Sequence, residues 1–142
     1  MKILIMGLPG SGKTWLAERL QKHLNCAWFN EDEVRKMSND WNFDRSSRTR
    51  QAYRMRNMAD YEVGCGSTVI CDFVCPTNEA RLSFRPDITI WLDTITEGRF
   101  DDTNKIFCQP DYYDIHIDTH LTEQEVEKLA ERLKERINWK PR

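Results

Sequence analysis

Residues 7 to 14, Gly7-Leu8-Pro9-Gly10-Ser11-Gly12-Lys13-Thr14, follow the pattern G-x-x-x-x-G-K-[ST]. Small residues in such a loop let successive backbone N–H groups turn inward, and a helix beginning at its end adds positive potential where phosphates would lie. All eight residues are therefore candidate nucleotide-binding positions. Lys13 is expected to reach the outer phosphates, and the Thr14 hydroxyl to help hold Mg²⁺ on ATP.

A second cluster is Asn30-Glu31-Asp32-Glu33-Val34-Arg35. A carboxylate just past a strand end, with an arginine about one turn later, could activate a hydroxyl and bind an anion. Asn, Glu and Asp are equally the residues that cap a helix and complement its dipole. Spacing alone leaves both readings open. Asp72 and Asp93 each close an apolar run and could support Mg²⁺ through water. Asp72 is the better placed, because the Pro76 loop follows it.

Arg45, Arg48, Arg50, Arg54 and Arg56 fall within a dozen residues. On a helix, 45 and 48 are i, i+3 neighbours and 50 and 54 are i, i+4 neighbours, giving two stripes. The expectation is a mostly solvated face with one or two arginines turned to a pocket. His23, His116 and His120 form no ligand cluster with the cysteines and are read as structural or exposed.

The elements that would carry these groups can be read from hydrophobic periodicity. Apolar runs of strand length recur at 3–6, 26–29, 68–71, 88–92 and 113–117, separated by helical spacing. That alternation predicts an α/β domain with a mainly parallel sheet. Ligands in such domains sit at the carboxyl ends of strands, where the irregular stretches 36–47 and 96–112 fall. The last helix carries a capping box at Thr122 and Glu125, with Leu121 and Val126 spaced as a hydrophobic staple. Its apolar face is Val126, Leu129, Ala130, Leu133 and Ile137, and Pro141 lies beyond its end.

A chain of 142 residues is sufficient for one domain with a real core. A formal net charge of −2 gives no global argument for a nucleic-acid or membrane surface. Five cysteines without a C-x-x-C pair fit reduced thiols rather than a disulfide scaffold or metal site. No segment approaches a membrane span, so a cytoplasmic protein without a membrane partner is expected.

Taken together, these residues resemble small-molecule kinases of the P-loop class, above all adenylylsulfate (APS) kinases. Their D-G-D-x-x-R segment is similar to Asn30 through Arg35, and their F-S-x-x-D-R-x-x-N stretch to Phe43 through Gln51. Their I-S-P-Y-R-x-x-R segment resembles Val74 through Arg81. The likeness covers residues 1 to 94 and returns from about Phe107.

The resemblance implies a three-layer αβα P-loop NTPase-type fold over residues 1–142, using ATP and Mg²⁺. It implies transfer of the γ-phosphoryl group to the 3′-hydroxyl of adenylylsulfate, a small nucleotide partner. Lys13, Asp32 and Arg35 would be the catalytic residues, with Asp32 orienting or deprotonating the acceptor hydroxyl. Arg35, Phe43, Arg48, Gln51, Cys75, Pro76 and Phe107 would contact the acceptor, and Thr14 and Asp72 would serve the metal. A homodimer is compatible with this reading.

The sequence departs from the family at Asn30 for the first Asp, at Gln51 for Asn, and at Cys75 through Asn78 for Ser-Pro-Tyr-Arg. The family's long basic lid is reduced to about 94–108, with Arg99 and Lys105 as its cations. Two alternatives follow. Asn30 and Asp72 suit a polynucleotide 5′-hydroxyl kinase, for which nucleic acid would be the partner. A shortened lid suits a domain that binds nucleotide without transferring phosphate.

Overall fold

The computed structural model describes residues 1–139. Five strands, β1 (Lys2–Met6), β2 (Ala27–Asn30), β3 (Val69–Asp72), β4 (Ile88–Leu92) and β5 (Ile115–Ile117), form one sheet. Its order is β2-β3-β1-β4-β5, and every neighbouring pair is parallel. Parallel neighbours need crossovers, which α1 (Lys13–Leu24), α2 (Glu31–Ser38), α3 (Arg45–Gly64), α4 (Asn78–Phe84) and α5 (Asp101–Ile106) provide, and α6 (Glu123–Asn138) follows the last strand.

The period-2 geometry of a strand divides the apolar residues between two layers. Ile3, Ile5, Ile70, Ile88, Ile90, Leu92 and Ile117 meet Leu16 and Leu20 of α1 and Val126, Leu129 and Leu133 of α6. Leu4, Met6, Val69, Cys71 and Trp91 face the other way, toward Val34, Ala52, Met55, Ala59 and Phe84 of α2, α3 and α4. The result is the three-layer α/β architecture expected from the sequence. β1 is buried along its whole length, as a central strand covered on both faces must be.

Helix ends follow local chemistry. The Asn30 side chain accepts from Glu33 N, and Asp44 caps α3 by accepting from Ser47 N. Thr122 and Glu125 form the reciprocal capping box at α6. Leu121 and Val126 pack into the same apolar layer, as a staple should. Pro141 lies outside the described residues.

Among the described residues no helix is long and apolar enough to cross a membrane. All five cysteines are free thiols.

Candidate functional site

The phosphate loop joins the carboxyl end of β1 to the start of α1. Gly7 is required by proximity: a Cβ there would come within 2.4 Å of the Leu92 carbonyl oxygen, a backbone atom that cannot yield. Gly10 and Gly12 take left-handed φ values of 91° and 101°, which turn the loop and present the amino end of α1. Two further observations suit the loop to phosphates. Ser11 Oγ is buried without a hydrogen-bond partner, and Lys13 Nζ is buried, donating to the Leu8 carbonyl at 3.1 Å. Burial lowers the Lys13 pKa, opposed by the carboxylates of Glu31, Asp72 and Asp32.

Beside the loop lies a polar network drawn from two strands and a helix. Asp72 accepts from Trp28 Nε1 at 2.6 Å and from Asn30 Nδ2 at 3.1 Å. Asn30 Nδ2 also donates to Thr14 Oγ1 at 3.1 Å. The capping reading of Asn30 holds, because its Oδ1 accepts from Glu33 N at the start of α2, and its Nδ2 joins this network. Burial pushes the Asp72 carboxyl up to about 6, against the opposing effects of Trp28, Asn30 and Lys13.

Among the described residues no group of three or more His, Cys, Asp or Glu could hold a metal. A Mg²⁺ ion bound mainly by phosphates and water needs fewer protein ligands. The Thr14 hydroxyl and the Asp72 carboxylate, joined through Asn30, fit that requirement.

On one side of Lys13 a cavity of about 650 Å³ opens between α2, α3, the loop after β3 and α5. Arg35, Phe43, Arg48, Gln51, Cys75 and Pro76 all line it, so six of the seven expected acceptor residues come together. Phe107 does not line it. Its ring packs beside the layer of Phe73 and Phe84 and lies 5.3 Å from the Arg81 guanidinium, whose Nη2 donates to the Cys108 carbonyl. Asp32 also stands apart from the lining, exposed on the first turn of α2.

The arginines have distinct surroundings. Arg35 is buried, with Nη1 donating to the Asp40 and Asn42 carbonyls and its guanidinium 4.4 Å from the Phe43 ring centroid. Arg48 donates to the Phe43 carbonyl and to Thr103 Oγ1 of α5. Arg50 and Arg54 are spent on the buried Asp40 carboxylate, at 3.2 and 2.8 Å. The expected division of the cluster is thus present: Arg45 and Arg48 reach the cavity lining, and Arg50, Arg54 and Arg56 do not.

The segment after β4 lies on the phosphate loop. Thr94 Oγ1 donates to the Ser11 carbonyl at 2.7 Å, and a Cβ on Gly98 would lie 3.2 Å from the Pro9 carbonyl oxygen. Asn104 closes the segment on itself, accepting from Gly98 N and donating to Gly98 O.

Sequence reasoning missed two features. Glu31 lines the large cavity, and its signal was a carboxylate at the middle position of the D-G-D pattern. A second cavity of about 400 Å³ adjoins the loop, lined by Ser11, Gly12, Trp15, Leu92, Thr94 and His120 among others. His120 is exposed, as expected, and borders this cavity. The Arg19 guanidinium stacks 3.9 Å from the Trp15 ring centroid, and the aromatic residue directly after Thr14 was the available signal. His116 is structural as expected, stacked on Trp91 and 2.9 Å from Asp93.

Fold and loop together define a P-loop α/β domain. A family profile described as an AAA domain matches residues 3–142, and the chain belongs to that family. A search of curated proteins finds no significant match.

Among solved structures, the chain is similar to the Mycobacterium tuberculosis APS kinase in complex with AMPPNP and APS. Identity is 18%, the TM-score 0.79, and coverage 94% of this chain and 95% of that one. It is also similar to the shikimate kinase of Aquifex aeolicus, at 18% identity, TM-score 0.66, and 96% and 98% coverage. A gluconokinase from Sinorhizobium meliloti matches at 15% identity, TM-score 0.68, and 96% and 94% coverage. These likenesses establish a fold shared with P-loop kinases of differing acceptors.

Proposed function

We propose that this protein transfers the γ-phosphoryl group of ATP to a hydroxyl of a small nucleotide, with the 3′-hydroxyl of adenylylsulfate as the acceptor. The observation carrying this reading is the meeting of Arg35, Phe43, Arg48, Gln51, Cys75 and Pro76 in one cavity beside Lys13. Those residues come from α2, the loop after it, α3 and the loop after β3, so nothing local in the chain explains their convergence.

In this mechanism residues 7–14 hold the donor phosphates, and the second cavity takes the donor's nucleoside against Trp15. Lys13 neutralises charge on the outer phosphates as the bond to the leaving ADP oxygen breaks and the bond to the acceptor oxygen forms. Thr14 and Asp72 would hold Mg²⁺, which when bound would further neutralise phosphate charge. Asp32 orients the acceptor hydroxyl and takes its proton. Arg48 holds the acceptor's anionic group, while Arg35, fixed by two carbonyls, keeps Phe43 in place for a base to stack on. Residues 94–108 act as the short lid of a single domain spanning 1–142, working in the cytoplasm.

ADP release from Mg-ATP tests this reading, with adenylylsulfate, a 5′-hydroxyl oligonucleotide and no acceptor in parallel. Release that requires adenylylsulfate is expected. A second reading, polynucleotide 5′-hydroxyl transfer, draws on the Asn30–Asp72 hydrogen bond at 3.1 Å. Release with the oligonucleotide alone would establish that reading instead. Silence in every lane, with nucleotide still bound, would mark a binding domain without transfer.

A further inference from the structure

We propose that Glu31 and Arg35 form a pair that recognises a second hydroxyl on the acceptor, beside the one that receives phosphate, so that the site selects a vicinal diol such as an intact ribose. This inference deepens the proposed nucleotide-kinase function and rests on it.

Glu31 stands where the adenylylsulfate kinase pattern carries glycine, so the family pattern assigns it nothing. Its carboxylate is largely enclosed, with 18% of the side chain exposed, and lines the large cavity. One oxygen is committed: Oε2 accepts from Val74 N at 3.0 Å. The other, Oε1, accepts no hydrogen bond from the described residues, and its nearest cation is Arg35 Nε at 3.6 Å. That separation is too long for a hydrogen bond.

Arg35 supplies the independent observation. Its side chain is 1% exposed, and Nε is buried without any hydrogen-bond partner. An unpaired buried donor is costly, so a partner for it is expected when the site is in use. A carboxylate oxygen on the cavity wall and an N–H buried beside it thus both lack a hydrogen-bond partner among the described residues. A hydroxyl matches both, donating to Glu31 Oε1 and accepting from Arg35 Nε.

Position favours a hydroxyl close to the reacting one. Of the carboxylates around Lys13, Glu31 exerts the strongest pull on that ammonium, and it acts likewise on Arg48 across the cavity. Glu31 therefore neighbours both the phosphate-loop lysine and an arginine of the cavity wall. A 5′-hydroxyl polynucleotide end has no hydroxyl on the adjacent carbon, so this pair also opposes the alternative acceptor.

The test compares adenylylsulfate with its 2′-deoxy analogue in the wild-type protein and in Glu31→Gln, whose amide oxygen can still accept from Val74 N. Wild-type kcat/KM should favour the ribose acceptor by roughly 10- to 100-fold, the scale of a lost hydrogen bond to a charged group. Glu31→Gln should bring the two acceptors within about threefold, chiefly by slowing the ribose one. Equal use of both acceptors by the wild type would overturn the inference and leave the kinase reading standing. If neither is phosphorylated, the kinase reading fails for this acceptor, and calorimetric binding of AMP against 2′-deoxy-AMP decides the pair by itself. Indifference to the 2′-hydroxyl, or no binding of either, overturns it.

Discussion

At the residue scale, two acids at the loop have opposite surroundings and opposite tests. Asp32 is exposed, close enough to Lys13 to act on its charge, and free of hydrogen bonds that would occupy it among the described residues. Asp32→Asn should lower turnover by about 10²–10⁴ while leaving ATP affinity nearly unchanged, as loss of a general base does. Steady-state kinetics beside ATP titration would check this, and wild-type turnover would remove Asp32 from the mechanism. Asp72 is buried, and its folded-state pKa of about 6 lies above the ordinary value of 3.8. Between those values the unfolded chain releases a proton that the folded protein keeps, so stability is full below about pH 4 and falls as pH rises to about 6. The loss should be about 3 kcal/mol without Mg²⁺. Urea unfolding across that range would show the slope in the wild type and its absence in Asp72→Asn.

At the element scale, much was legible because sheet and helix periods differ. The five apolar runs correspond to the five strands within a residue or two, and in β1, β3 and β4 burial on both faces leaves little room for polar residues. The phosphate loop was legible for a different reason: its glycines answer close backbone approaches, as at Gly7 and Leu92, which a one-dimensional pattern preserves. Glu31 and the Trp15 cavity were not legible, because they depend on which neighbours the crossovers bring together. Phe107 looked like a stacking residue, but the fold gives its ring to Arg81 and the α4 side.

The segment after β4 shows the same limit. Residues 96–112 read as an irregular stretch, yet Asn104 closes this segment on Gly98, which itself lies against Pro9. Asn104→Ala removes both bonds, which should cost about 1–2 kcal/mol of local stability at this partly exposed site. Amide exchange should quicken across 98–106 and remain unchanged in β1, β3 and β4. Uniform acceleration over the sheet would mean that the lid is part of the global unfolding unit.

On the scale of the whole molecule, one cavity of about 400 Å³ is lined by Ser11 and Gly12 of the phosphate loop and another of about 650 Å³ by Glu31, whose charge acts on Lys13, and each should contribute its own linkage to stability. ATP at a hundredfold its dissociation constant should raise unfolding free energy by about 2.7 kcal/mol whether or not transfer follows. Lys13→Ala should remove most of that gain, and an unchanged shift would contradict the loop's role. The acceptor side differs in charge. Arg35, Arg45, Arg48 and Lys105 line the large cavity together with Glu31, Glu79 and Asp102, so four cations face three carboxylates. With a chain that is itself net negative, this balance suits one or two acceptor charges and not a long polyanion. Acceptor KM should therefore change by about tenfold or less between 50 and 200 mM salt, whereas six to ten phosphate contacts would change affinity by about 10³–10⁵. A steep slope would require a basic track outside the cavity, and the exposed Arg50 on α3 is where a neutralising substitution would then have to flatten it.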